Sequence, residues 1–420
     1  MRFAGRILRI SFILGSSLLA GSAWASPQVV HIATNTTMVN SATRYAPLGF
    51  VNLTSWSPTD TVYWKVSEAG TVSLLRVEVA SAPGGVASWT FTAFKNTVAT
   101  GLTCQMSGTD TSCADSSNSF TVSPNDNLSI QVVPAGTPTA SRPRWSVLFT
   151  PTTDDAFTMG GGSAGGATAP SSALYFSPYG HDGTGNSTET SAAVVIPFSG
   201  TFDQLYVELD VTPPVGRTLI ATLIKNGSST GLTCSVSNGS LTCSDTSTSV
   251  SVVEGDLISM KEVLDAASGG YIVGFLFGVS FTSGVSGVAP VLLDLAQANA
   301  SSTIYHDLMG SSLQGTTTES THLTTSQQSS YSRLFGQLIT PTAGGTYTFT
   351  IRQNQVDTDL TCTVLVSQTD CSDTGTLSIQ DGDEITLSVT PGGSPTVPET
   401  ELRASLGIGS GAVRRLFRTY

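Results

Sequence analysis

Six cysteines carry the clearest chemical signal: Cys104, Cys113, Cys234, Cys243, Cys362 and Cys371, three pairs of identical C-x8-C spacing. Thiols so placed either bind a metal or close disulfides. Structural metal sites favour C-x2-C spacing with histidines nearby, and neither is present. The fragment Gly161-Gly162-Ser163-Ala164-Gly165 matches the G-x-S-x-G nucleophile elbow, but it lies in low-complexity glycine without a strand before it or a helix after it. His181-Asp182 and His306-Asp307 look like a repeated dyad. They are not equivalent in the repeat described below, and they read as solvated loop residues. Asp110, Asp115, Asp370, Asp373, Asp381 and Asp383 make oxygen-rich loops of the kind that hold Ca²⁺. Asx-type turns account for them more economically, so no cofactor is expected. Trp56, in the loop NLTSWSPTD, is the one candidate binding residue: an exposed Trp with polar neighbours can stack on a sugar ring or anchor a partner, although core or edge packing is the favoured reading because aromatics are usually spent on burial. No nucleophile–base–orienter set is visible, so the chain reads as non-enzymatic.

The surroundings favour disulfides. MRFAGRILRISFILGSSLLAGSAWA has a basic start, a short apolar stretch and an A-x-A site, the pattern of a secretory signal peptide cleaved before Ser26. Exported chains with even cysteine counts build disulfide frameworks. Around Asn238-Gly239, a strong type I′ turn signal, Cys234 and Cys243 fall directly opposite each other, at a pair whose Cα atoms approach to about 4.5 Å. Gly108-Thr109 suits a II′ turn at the same centre. Val366-Ser367 is a poor turn, so a wider tip is expected there. The pairs are Cys104–Cys113, Cys234–Cys243 and Cys362–Cys371, each worth about 2–3 kcal/mol in the chain-entropy model.

The cysteines belong to a longer repeat. Pro83, Pro213 and Pro341 precede Asn96, Asn226 and Asn354, and then come Asp115, Asp245 and Asp373. Strands with period-two alternation fill each copy: Leu75, Val77, Val79; Leu205, Val207, Leu209; Tyr347, Phe349, Ile351. Leu334 and Leu338 sit one position out of register with their proline, which predicts an insertion or bulge before it. VLLDLAQA (291–298) is at best one short helix, and YIVGFLFGVSF (271–281) reads as a buried strand. The fold class is all-β: three tandem antiparallel β-sandwich or jelly-roll repeats, each with a C-x8-C hairpin disulfide. The chain divides into a signal peptide (1–25), repeat 1 (26–152), a flexible Gly-rich linker (153–170), repeat 2 (171–284), repeat 3 with its connector (285–411) and a basic tail (412–420).

The phrases IKNGSSTGLTC, TCSD and GGTYTF resemble repeats in secreted bacterial proteins. The strand layout is similar to the jelly rolls of the complement globular head and tumour necrosis factor group. That resemblance implies non-catalytic partner binding and homo-oligomers.

Charge narrows the partners. The full chain carries −12, and loss of Arg2, Arg6 and Arg9 with the signal takes it to −15. A nucleic-acid partner is excluded on that balance. No segment beyond the signal reaches the about 18 apolar residues of a transmembrane span. The expectation is a secreted, extracellular or cell-envelope protein of structural or adhesive function, binding a cell-surface or extracellular protein or glycan. The alternative is a glycan- or ligand-binding module with its site in repeat 1.

Overall fold

The computed structural model describes residues 27–410 except 35, 50–54, 170–171, 182–184, 266–270, 296–298, 309–315, 320–323, 326–328, 342 and 397–401. The signal peptide and the basic tail lie outside the described residues.

Domain 1 contains β1 (Gln28–Ala33), β2 (Arg44–Pro47), β3 (Trp64–Lys65), β4 (Gly70–Val79), β5 (Ser88–Lys95), β6 (Val98–Ser107), β7 (Ser112–Val122), β8 (Asn127–Ala135) and β9 (Pro143–Pro151). Domain 2 contains β10 (Ala156–Ala169), β11 (Leu174–Phe176), β12 (Tyr179–His181), β13 (Val194–Val195), β14 (Gly200–Leu209), β15 (Thr218–Lys225), β16 (Ser228–Ser237), β17 (Thr242–Asp245), β18 (Val250–Val252), β19 (Leu257–Leu264) and β20 (Tyr271–Ser283). Domain 3 contains β21 (Val288–Leu295), β22 (Ile304–His306), β23 (Thr324–Thr325), β24 (Ser329–Leu338), β25 (Ala343–Gln353), β26 (Val356–Val364), β27 (Asp370–Ile379), β28 (Glu384–Thr396) and β29 (Leu402–Ser410).

Each domain is the same two-sheet jelly roll. In domain 1 the sheets run β1-β9-β4-β7 and β2-β8-β5-β6, with β3 also pairing β8. The alternating residues form the core: Leu75, Val77, Trp89, Phe91, Ile130 and Val147 are all buried. Their period matches the pleat, so one face of each strand meets the other sheet.

The structure corrects several sequence expectations. Residues 156–169 are not a linker but β10, the first strand of domain 2, paired with β20 along its length. Glycine is required there by close backbone approach. A Cβ on Gly161 would stand 2.3 Å from the Gly180 carbonyl oxygen, where β12 runs beside β10. Residues 288–295 are likewise a strand, not a helix, and pair with β29. The bulge is common to all three copies, with Leu74, Gln204 and Arg333 at positive φ. Leu334 is therefore equivalent to Leu75 and Leu205. The missing residue falls in the loop between Leu338 and Pro341.

All three disulfides form as paired in the sequence, but not within a hairpin ladder. Cys104 lies on β6, the edge of one sheet, and Cys113 on β7, the edge of the other. Each bridge therefore staples the two sheets at the open side of a sandwich, with Cα atoms 5.7, 5.8 and 5.7 Å apart. Between the cysteines the chain turns tightly in every copy: Asp110 N donates to Ser107 O, Ser240 N to Ser237 O and Gln368 N to Leu365 O. The third tip is no wider than the others. Ser367 takes a positive φ of 68° to close it, and at the second only Gly239 is positive, which rules out type I′.

The three rolls close into a ring. β3 of domain 1 lies against β10 and β20 of domain 2. The equivalent β13 of domain 2 lies against β21 and β29 of domain 3, and β23 of domain 3 against β1 and β9 of domain 1. The same patch meets the same partner patch three times, the arrangement of a heterologous ring that closes. One cluster of buried apolar residues runs through all three domains.

Candidate functional site at the domain junctions

The residues that recur are consumed by the scaffold. Asn96, Asn226 and Asn354 open the turns between β5 and β6, β15 and β16, and β25 and β26. Each turn has two successive positive-φ residues, the type I′ geometry. Each Asn accepts from a backbone N–H through Oδ1 and donates through Nδ2 to Asp126, Asp256 or Asp383. Asp115, Asp245 and Asp373 accept backbone N–H groups from Thr103, Thr233 and Thr361 across the disulfide edge, and from their own following loops. Burial alone would raise the Asp115, Asp245, Asp256 and Asp383 pKa values, but these hydrogen bonds, joined at Asp256 by the Lys225 ammonium 2.9 Å away, outweigh it and hold them below the usual range. The aspartates considered for Ca²⁺ are thus largely turn and edge clamps, and Asp381 pairs with Arg76.

The other candidates are also placed. Trp56 is buried at 7% exposure, its ring 6.2 Å from that of Trp145 and its Nε1 donating to Thr36 O. It offers no face for a sugar. Ser163 is fully buried on β10, and its Oγ accepts from Phe275 N. His306 and Asp307 are buried rather than solvated. His306 occupies on β22 the place that Ala46 and Phe176 fill in the other copies. His181 ends β12; its side chain and Asp182 lie outside the described residues.

What the sequence did not flag gathers at the junctions. Between domains 1 and 2, Lys65 Nζ is bonded to Glu208 Oε2 and reaches Asn127 Oδ1 at 3.1 Å and Asn125 O at 3.0 Å. Asn127 Nδ2 donates to the same Glu208 oxygen at 2.9 Å. Nearby, Glu68 accepts from Ser280 Oγ at 2.5 Å and Gln204 Nε2 at 2.7 Å, and Ser67 Oγ is 2.9 Å from Thr158 Oγ1. Burial pushes Lys65 down and Glu68 up. Between domains 2 and 3, Phe198 is 2% exposed beside Gly407, where a Cβ would meet its ring at 3.2 Å. Arg403 donates to Ala193 O, Thr190 O and Gln337 Oε1. Between domains 3 and 1, Tyr331 Oη is 3.4 Å from His31 Nε2 and Arg76 pairs with Asp381.

Inside domain 2, Glu262 is 1% exposed and neither carboxylate oxygen has a hydrogen-bond partner. Val132 and Val389 hold its place in the other domains. Burial pushes its pKa up to about 8.

The strand order defines the class: an all-β protein of three disulfide-stapled jelly rolls closed into a ring. No protein-family model matches the chain, and no curated protein matches it. Among solved structures it is similar to one described as "The Triple Jelly Roll Fold and Turret Assembly in an Archaeal Virus", at 12% identity over 92% of this chain and 90% of that chain, with a TM-score of 0.19.

Proposed function

We propose that the protein is a non-catalytic structural or adhesive component of the extracellular space or cell envelope. The observation that carries this reading is the use of the shared residues. Every asparagine, aspartate and cysteine common to the three copies is spent on a turn, an edge clamp or a sheet staple, and the polar groups that differ among copies include those that hold the ring together. The sheet-stapling disulfides and the signal-like first 25 residues support export. Among the described residues no helix is long and apolar enough to cross a membrane. The binding partner in this reading is an extracellular protein or glycan, met by the ring's outer loops.

The test uses residues 26–420, immobilised and probed with intact cells, a glycan array and a panel of hydrolase substrates. Retention of cells or of one ligand class without turnover supports the proposal. Sustained substrate turnover that survives repurification overturns it.

A further inference from the structure

The junction between domains 1 and 2 brings together a buried amine, a half-buried carboxamide and a carboxylate that is 27% exposed. Lys65 and Asn127 are directly opposed partners on β3 and β8. Lys65 Nζ donates to Asn127 Oδ1 at 3.1 Å, an oxygen one bond from the amide carbon that would be attacked. One oxygen of Glu208, from domain 2, bridges Lys65 Nζ and Asn127 Nδ2. It thus touches both the nitrogen that would attack and the nitrogen that would leave. The Lys65 side chain is 1% exposed.

We propose that Lys65 and Asn127 condense spontaneously into an intramolecular isopeptide bond, with Glu208 carrying the proton. Glu208 takes a proton from the Lys65 ammonium, which frees a lone pair on Nζ. That pair bonds to Asn127 Cγ, and the carbonyl π electrons move onto Oδ1. Glu208 passes its proton to Nδ2. The Cγ–Nδ2 bond then breaks, and its electron pair leaves with ammonia as the carbonyl reforms. The second Nζ proton goes to Glu208, which can release it to the departing ammonia. One amide replaces another, no electrons are gained or lost, and no co-reactant is needed. Desolvation favours the neutral amine needed for attack. Fixed neighbours on paired strands supply the proximity that a free amine and amide lack.

The equivalent positions at the other junctions cannot react this way. Between domains 2 and 3 they are Val195, Leu257 and Gln337; between domains 3 and 1 they are Thr325, Glu384 and Glu78. Neither set has an amine. The bond would tie the two-residue strand β3, which carries the contact to domain 2, covalently to the body of domain 1. The inference stands apart from the adhesive reading and fails or survives independently of it.

The experiment is an intact mass and a peptide map of exported residues 26–420, with the disulfides reduced. The expected protein is lighter than its sequence by the mass of one ammonia. The map then contains one branched peptide joining Lys65 to Asn127. Lys65→Arg and Glu208→Gln should each restore the full mass. Recovery of the Lys65 and Asn127 peptides separately, at their unmodified masses, overturns the proposal. An ammonia loss that maps instead to Asn226-Gly227 or Asn238-Gly239 is succinimide formation, and with Lys65 and Asn127 unlinked it overturns the proposal equally.

Discussion

The junction between domains 1 and 2 and the junction between domains 2 and 3 are built from the same strands and opposite chemistry. Glu68 and Phe198 are equivalent positions after β3 and β13. Ser280 and Gly407, which receive them, are equivalent positions on β20 and β29. A carboxylate meets a hydroxyl at one, and a phenyl ring meets a bare backbone at the other. Exchanging the partners would bury Glu68 where its Ser280 donor is missing and push Phe198 against a serine side chain. Three separate identical chains could not make this distinction, because all their interfaces are alike. Three copies in one chain can, and each junction rejects the wrong neighbour as well as accepting the right one. The strands the three copies share supply the ring geometry, and the differences at a few junction positions fix the order of the domains within it.

The contrast between copies is sharpest inside domain 2, where Glu262 replaces valine. The folded state holds its proton up to about pH 8, whereas the unfolded chain releases it above the ordinary glutamate value of 4.5. The folded form therefore binds more protons across that window, and stability falls as pH rises through it, by about 5 kcal/mol in total. Glu262→Val should remove that slope and leave the protein more stable by a similar amount at alkaline pH. Denaturant midpoints of both proteins from about pH 5 to about pH 9 measure it. A flat wild-type profile would break the argument.

At the junctions, Phe198→Ala should cost about 3–5 kcal/mol, since it empties a packed site against Gly407 that cannot collapse. Glu68→Ala should cost about 1–3 kcal/mol, the loss of hydrogen bonds from Ser280 and Gln204 to a group that was itself costly to bury. The same denaturation experiment ranks them, and a larger loss at Glu68 would reverse the assignment of the apolar junction as the stronger one. Replacing Cys362 and Cys371 together by Ala should cost about 2–3 kcal/mol by freeing a ten-residue loop in the unfolded chain. Limited proteolysis should then cut first near the β26–β27 turn.

How much of this could be read beforehand depended on whether a residue's reason was local. Leu75, Val77, Phe349 and Ile351 alternate because their strands are half-buried, and all four are buried as the pattern required. The turn centre at Gly108 and the cysteine pairs were also legible, whereas the tight turn at Ser367 was not, because Val366-Ser367 carries no turn residue. The assignment of β6 and β7 to different sheets was not, because a corner between sheets and a hairpin have the same strand–turn–strand spelling. The glycines of β10 spelled a linker because a strand pressed on both neighbours by bare backbone has no hydrophobic period to show. For Trp56 the sequence favoured burial without saying against what, and its partner Trp145 lies far along the chain. Lys65, Asn127 and Glu208 carried no signal at all. The partner of the first two comes from another domain, and no local spacing encodes it.

The smallest effect belongs to the third junction's visible ion pair. Arg76 Nη1 lies 2.9 Å from Asp381 Oδ1, but the Asp381 side chain is 67% exposed and that of Arg76 is 25% exposed. Water competes for both groups, and holding two long side chains still costs entropy, so Asp381→Ala should lose less than about 1 kcal/mol. The loss should vanish in about 1 M salt, where screening reaches only about 3 Å. Phe198→Ala should keep its full penalty in the same salt, because dispersion and burial carry no charge to screen. If Asp381→Ala instead costs as much as Phe198→Ala, the third junction depends on charge, and the ring is held by two polar seams and one apolar seam rather than by packing with a salt bridge at its rim.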